Sequence, residues 1–137
     1  MSALRHADPS QPLSFLAFDF GTQRIGVASG NTVTRTAQPL RTIAEPAATR
    51  FDAIGRLIAE WRPDALVVGV PFHPDGAPHD NTQRAKRFAR QLHGRFHLPV
   101  HEVDERYTTT EALASGARDV DAASAAIILE QYMGTLV

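Results

Sequence analysis

The sequence predicts an α/β fold in which a mixed five-stranded sheet is flanked by helices. Three observations carry that expectation. Three extended segments linked by short turns come first, helical stripes of apolar residues begin only after Ala47, and a continuous apolar run, Ala65 to Val70, separates two such stripes. A length of 137 residues accommodates one domain, expected over residues 14–137. Residues 1–13, with Pro9 and Pro12 and no apolar run, read as a flexible arm.

Phe15 to Phe20 is apolar on both alternating faces apart from Asp19, as a central strand covered on both sides requires. Gly21 and Gly26 bracket a turn into a second strand opening at Ile25, and Thr36 to Ile43 forms a third, placed at an edge by Pro39. Phe51, Ile54, Ile58 and Trp61 make one stripe of a helix over Ala47 to Trp61, stopped by Pro63. Ala65 to Val70 is then a buried parallel strand. Asp80 with Gln83 has the spacing of a capping box for a second helix, whose inward face is Ala85, Phe88, Ala89, Leu92 and Phe96. Its other face is basic, with Arg84, Lys86, Arg87, Arg90 and Arg95. Val100 to Glu105 is a fifth strand, Thr108 with Glu111 opens a short helix, and Asp121 to Met133 supplies the last one. Three antiparallel strands followed by β/α units are the layout of the ribonuclease H-like fold.

Composition narrows the function. Hydrophobic residues at 43% and charged residues at 21% exclude a disordered or fibrous chain. The runs Ala65 to Phe72 and Ala122 to Leu129 are far shorter than the roughly 20 residues of a membrane span, so no membrane partner is expected. The absence of cysteine excludes disulfides and thiolate chemistry and agrees with a cytoplasmic location. Lys and Arg number 14 against 15 Asp and Glu, so a nucleic-acid surface has to come from segregation of charge and not from its sum.

The acids carry the chemistry. A carboxylate inside an apolar strand, as at Asp19, is costly unless a cation or hydrogen-bond donors compensate it, and the plainer alternative is a strand-end Asp held by the Gly21 turn. Asp104 and Glu105 are consecutive in a strand, so only one can face Asp19; alternatively both pair with Arg106 at the surface. Asp121 shares a helical stripe with Ala125, Ile128 and Tyr132, although a cap is also open to it, and Asp119 could fill that role instead. Carboxylates from one strand, a neighbouring strand and a final helix suit two hard cations about 3.5 to 4 Å apart at a phosphodiester. Oxygen ligands favour Mg²⁺ or Mn²⁺ over zinc. The basic helix face is either a solvated surface or a support for a nucleic-acid backbone. His93 and His97 have metal-ligand spacing, but Gly94 between them and the lack of a third ligand weigh against zinc.

Four segments together resemble a known family. Asp19-Phe-Gly-Thr-Gln-Arg-Ile-Gly-Val-Ala28, Val67-Val-Gly-Val-Pro71 with Asp75-Gly76, Asp104-Glu-Arg-Tyr-Thr-Thr109, and Val120-Asp-Ala-Ala-Ser-Ala-Ala-Ile-Ile-Leu129 with Tyr132 are similar to the YqgF/RuvX family. Its members are described as Holliday junction resolvase-like nucleases of pre-16S rRNA. The resemblance implies a ribonuclease H-like fold and a metal-dependent cytoplasmic endonuclease of 16S rRNA 5′-end maturation, leaving 5′-phosphate and 3′-hydroxyl ends. It implies Asp19, Glu105 and Asp121 as catalytic metal carboxylates, with Asp104 the substitute if the register favours it. Arg24 and Arg106 would by the same match lie near substrate phosphate, and the basic helix face, read from the residues themselves, adds Arg84, Arg87 and Arg90 as candidate nucleic-acid contacts. The chain departs from the family pattern at Gln23, where a basic residue is common, at His73-Pro74, and in a shortened Tyr107 to Val120 segment.

The partners expected are therefore pre-16S rRNA or branched DNA, with the ribosome as a further candidate and the chain a monomer or homodimer. A resolvase of four-way DNA junctions would use the same acids, and symmetric cutting would distinguish it because it needs a dimer. The Asp19-Phe-Gly-Thr turn also resembles the phosphate-binding turn of sugar kinases, which close two such domains on a nucleotide where this length supplies one. A non-catalytic RNA-binding module is the remaining alternative, against which all three acids argue.

Overall fold

The computed structural model describes residues 11–105 and 119–136. Five strands and three helices are built in the order β1 (Ser14–Phe20), β2 (Ile25–Asn31), β3 (Ala37–Ile43), α1 (Ala47–Trp61), β4 (Ala65–Pro71), α2 (Thr82–Phe96), β5 (Val100–Glu105) and α3 (Val120–Gly134). In space the strands run β3-β2-β1-β4-β5. β1, β2 and β3 pair antiparallel, and β4 and β5 add parallel to β1. This is the mixed five-stranded sheet that the sequence predicts. Most of the expected arm and the short helix expected from Thr108 lie outside the described residues.

The side-chain alternation of β1 sorts the molecule into layers. Leu16 and Phe18 face Ala53, Ile54 and Leu57 of α1 and Phe88, Ala89 and Leu92 of α2. Phe15 and Ala17 face the opposite way, onto Ile128, Leu129 and Met133 of α3. Each fully buried Phe, Leu or Ile here contributes roughly 1.5–3 kcal/mol of burial, so both faces of the sheet are energetically committed. Asp19 continues the Phe15 and Ala17 row and therefore lies on the α3 side.

Local chemistry sets the boundaries. α1 ends at Arg62, left-handed at φ 47°, whose N–H closes onto the Ile58 carbonyl before Pro63. Of the expected inward stripe, Ile54 is buried and Phe51 and Ile58 pack against the core, but Trp61 is 40% exposed; Arg50, Ala53 and Leu57 complete the buried face. The expected Asp80 and Gln83 capping box does not form: the cap position is Asn81, with no side-chain cap bond. The Thr82 hydroxyl takes over by accepting from the His79 N–H at 2.7 Å and donating to the Pro71 carbonyl, which ties the start of α2 to the end of β4. His93 and His97 do not share a helix face, because the helix closes at His97 with φ 59° while His93 Nδ1 lies 3.0 Å from the Leu98 carbonyl. In β3, the strand paired to β2 alone, Pro39 lies opposite Ala28 beside a register shift, where a missing N–H is tolerated.

Candidate active site

Asp19 stands near the C-terminal end of β1 between two glycines, Gly26 of β2 and Gly69 of β4, its register partners on either side. Neither tolerates a side chain. A Cβ at Gly26 would overlap the Asp121 carbonyl oxygen, and one at Gly69 would overlap Ile128 and stand 3.0 Å from Glu105 Oε2. Two glycines flanking one acid thus open a recess into which α3 settles and the Glu105 carboxylate reaches.

α3 is delivered by its cap and its composition. The Asp119 side chain accepts from the Ala122 N–H at 3.0 Å and receives the Thr42 hydroxyl of β3. Asp119 is therefore the cap, and Asp121 sits free of that role in the first turn, where a carboxylate is favoured by the helix dipole. Ala122, Ala123, Ser124, Ala125 and Ala126 are all buried, and their small size lets the helix lie close on β1 and β2.

Glu105 ends β5 opposite Pro71 of β4 and is only 8% exposed. Alternation turns Asp104 to the other side of the sheet with Glu102, which meets Lys86 of α2 at 3.1 Å. Asp104 is exposed and does not join Asp19; the strand register gives that position to Glu105.

Electrostatics mark the cluster. Burial pushes the Asp19 carboxyl well above the usual carboxylate range; the nearby Glu105 and Asp121 charges, and a hydrogen bond with Glu105, push it further. The buried Ser124 hydroxyl makes no hydrogen bond of regular geometry among the described residues, yet lies close enough to Asp19 to favour its ionised form. Asp121 is turned onto Arg24, whose Nε lies 3.2 Å from Oδ2. Among the described residues no three His, Asp or Glu side chains already stand as a set that could hold one ion. The donors are nonetheless all carboxylate oxygens crowded in a recess, the chemistry that suits a hard divalent cation.

The remaining expected residues fall elsewhere. Arg84 is exposed and bonds to Asn81 Oδ1 at 3.1 Å at the start of α2. Arg87 and Arg90 are exposed further along that helix, which covers the sheet face opposite α3. The structure therefore does not bring these two to the face that bears Asp19. Arg95 lies over the Phe51 ring, and Phe88 is core. Arg106 lies outside the described residues.

Sequence reasoning missed Arg50. It is 9% exposed, its Nη2 donates to the Thr22 carbonyl at 2.7 Å, and its guanidinium lies 6.0 Å from the Phe20 ring centroid. It thereby pins the turn between β1 and β2 that carries Arg24. The available signal was an arginine four residues before Ile54 on the inward stripe of α1.

Comparison with known proteins gives the family and the fold. The family model described as "RuvX: Holliday junction resolvase" matches residues 13–135. A protein of Polaromonas sp. (strain JS666), provisionally named a pre-16S rRNA nuclease, is 66% identical over 123 residues, covering 90% of this chain and 89% of the relative. One of Albidiferax ferrireducens, with the same provisional name, is 65% identical over 123 residues, 90% of this chain and 79% of the relative. Among solved structures, T. thermophilus RuvC in complex with a Holliday junction substrate matches with a TM-score of 0.59 at 18% identity, covering 88% of this chain and 94% of that one. At that identity the likeness bears on the fold, which is ribonuclease H-like.

Proposed function

Because the chain belongs to the RuvX family, we propose that it is a nuclease that hydrolyses phosphodiester bonds of structured RNA in 5′-end maturation of pre-16S rRNA. The observation that carries the chemistry is the meeting of Asp19 and Glu105 in the glycine-flanked recess, with the first turn of α3 presenting Asp121 beside them. The observation that carries the substrate is the name shared by relatives of 65% and 66% identity.

Asp19, Glu105 and Asp121 would hold Mg²⁺ or Mn²⁺. A bound divalent cation would supply an activated water and charge neutralisation at the leaving oxygen. The chain's own residues do the rest. Burial keeps Glu105 and Asp19 desolvated, so their charge acts at full strength toward a ligand. Ser124 favours the ionised form of Asp19, the form that binds a cation. Arg24 is anchored at the same end of the sheet, where a phosphate would approach. Arg84 stands at the start of α2, and Arg87 and Arg90 offer backbone contacts only to a substrate that extends round to the other layer.

The second reading, a resolvase of four-way DNA, is favoured by the description of the family and by the likeness to RuvC. One experiment separates the two. Purified protein and its Asp19→Asn variant are given Mg²⁺ or Mn²⁺ with a labelled 16S precursor leader and with a four-way DNA junction. Cutting of the RNA by the unaltered protein alone is the expected result. Symmetric cutting of the junction with the RNA left intact would install the resolvase reading and, with it, a homodimer. Cutting of the leader only after ribosomal particles are added would make the ribosome a required partner.

A further inference from the structure

Arg24 reaches Asp121 from a turn that is held in place. A Cβ at Gly21 would stand 2.6 Å from the Arg24 carbonyl oxygen, so the turn is too tight for any other residue there, and Arg50 grips the Thr22 carbonyl at 2.7 Å. A side chain that is 66% exposed is thereby delivered to one carboxylate oxygen of a residue that is 31% exposed, at 3.2 Å. Asp19 and Glu105 meanwhile lie close together in the glycine-flanked recess, where a Cβ at Gly69 would stand 3.0 Å from Glu105 Oε2. Arg24 occupies the Oδ2 oxygen of Asp121, so Asp121 can give that oxygen to a cation beside Asp19 and Glu105 only by leaving Arg24.

We propose that Arg24 is a resident counter-ion of Asp121 that a divalent cation displaces, so that cation binding and release of the guanidinium are one exchange at one carboxylate. The inference rests on the reading of Asp19, Glu105 and Asp121 as cation ligands. The exchange is physically easy. Arg24 has most of its surface in water, and the single Nε contact lacks the paired bonds of a bidentate fork. A divalent cation brings two charges where the guanidinium brings one, and it meets all three acids. Arg24 then sets a threshold: it competes with the cation until the cation is abundant enough, and once displaced it is free to meet an anionic oxygen at the same end of the sheet.

The test is Mn²⁺ binding to the full chain, measured by electron paramagnetic resonance of the free ion. It compares the unaltered protein, Arg24→Met, Asp121→Asn and the double variant. Removing the competitor should tighten Mn²⁺ binding about two- to fivefold, the size expected for loss of an exposed ion pair, and the gain should vanish when Asp121 is Asn. In a parallel Mg²⁺ titration the Nε–H signal of Arg24, identified by its loss in Arg24→Lys, should shift with the same half-saturation as binding. Unchanged or weaker Mn²⁺ binding by Arg24→Met would overturn the exchange. So would an equal gain in the Asp121→Asn background, or an Nε–H signal that stays still at saturating Mg²⁺. Failure of every variant to bind Mn²⁺ would remove the cation reading itself, and the exchange with it.

Discussion

At Asp19, the proposed cation-binding role and the stability of the fold pull in opposite directions. Its carboxyl is held above the unfolded value by burial and by Glu105 and Asp121, so the folded state binds the proton more tightly than the unfolded chain does. By linkage its stabilising contribution is complete below the unfolded pKa and is lost as pH rises through the folded one, leaving a penalty at neutral pH. Asp19→Asn should therefore abolish cleavage and, without divalent cations, raise stability by about 1 kcal/mol, or roughly 2 to 6 °C in Tm. Calorimetry without divalent cations checks this, and a lower Tm would mean that other contacts of Asp19 outweigh the repulsion. His101 has the opposite sign. Burial lowers the pKa of its imidazole, which is stacked on Tyr132 at 5.0 Å, so acid favours the unfolded chain. Stability should fall as pH drops below about 6.5 toward the depressed folded value, and His101→Phe should reduce that fall. Urea midpoints between pH 7.5 and 5 would show whether the two proteins diverge on the acid side.

Among the elements, α3 depends most on a single atom's worth of space. It lies on β1 and β2 through alanines, and Gly26 leaves no room for a methyl group beneath the Asp121 carbonyl. Gly26→Ala should destabilise the fold by about 3 kcal/mol, because the overlap is with backbone and no rotamer can relieve it. Chemical unfolding reads this directly. A variant as stable as the unaltered protein would mean that α3 can slide on the sheet. The same close approach puts Asp121 beside the strand acids, so one glycine serves packing and site geometry together.

Across the whole molecule, charge and chemistry occupy different layers. The acids lie on the α3 side at the ends of β1 and β5, whereas Arg87 and Arg90 project from α2 on the other side. With a formal net charge of −1, the chain has no general attraction to nucleic acid, so binding would have to come from local cations such as these. Replacing both by Ala should weaken RNA binding and reduce the magnitude of its salt slope by about 1 to 2 if the substrate wraps round the sheet. Filter binding at several salt concentrations measures both. An unchanged slope would make α2 a solvated surface and confine the substrate to the α3 side. Among the described residues no helix is long and apolar enough to cross a membrane.

Element order, the bounds of α1 and the family motifs were legible in the sequence because they depend on neighbours in the chain: helical period, strand runs, and Pro63 after a helix. Strand alternation likewise limited the partner of Asp19 to one of Asp104 and Glu105. Choosing Glu105 required the register of β5 on β4, a contact between distant segments. The same holds for Asp119 as cap, braced by Thr42 from 77 residues away, and for Arg50 on the Thr22 carbonyl 28 residues away. The sequence by itself determined which residue types are present and how they alternate along each element, since those are local properties of the backbone, although it put Trp61 inward and passed over Arg50. Only the tertiary structure decided which faces meet, because packing joins surfaces that the chain order leaves far apart. It placed Asp19 and Glu105 in one recess, Arg24 on Asp121, and the basic helix in the opposite layer.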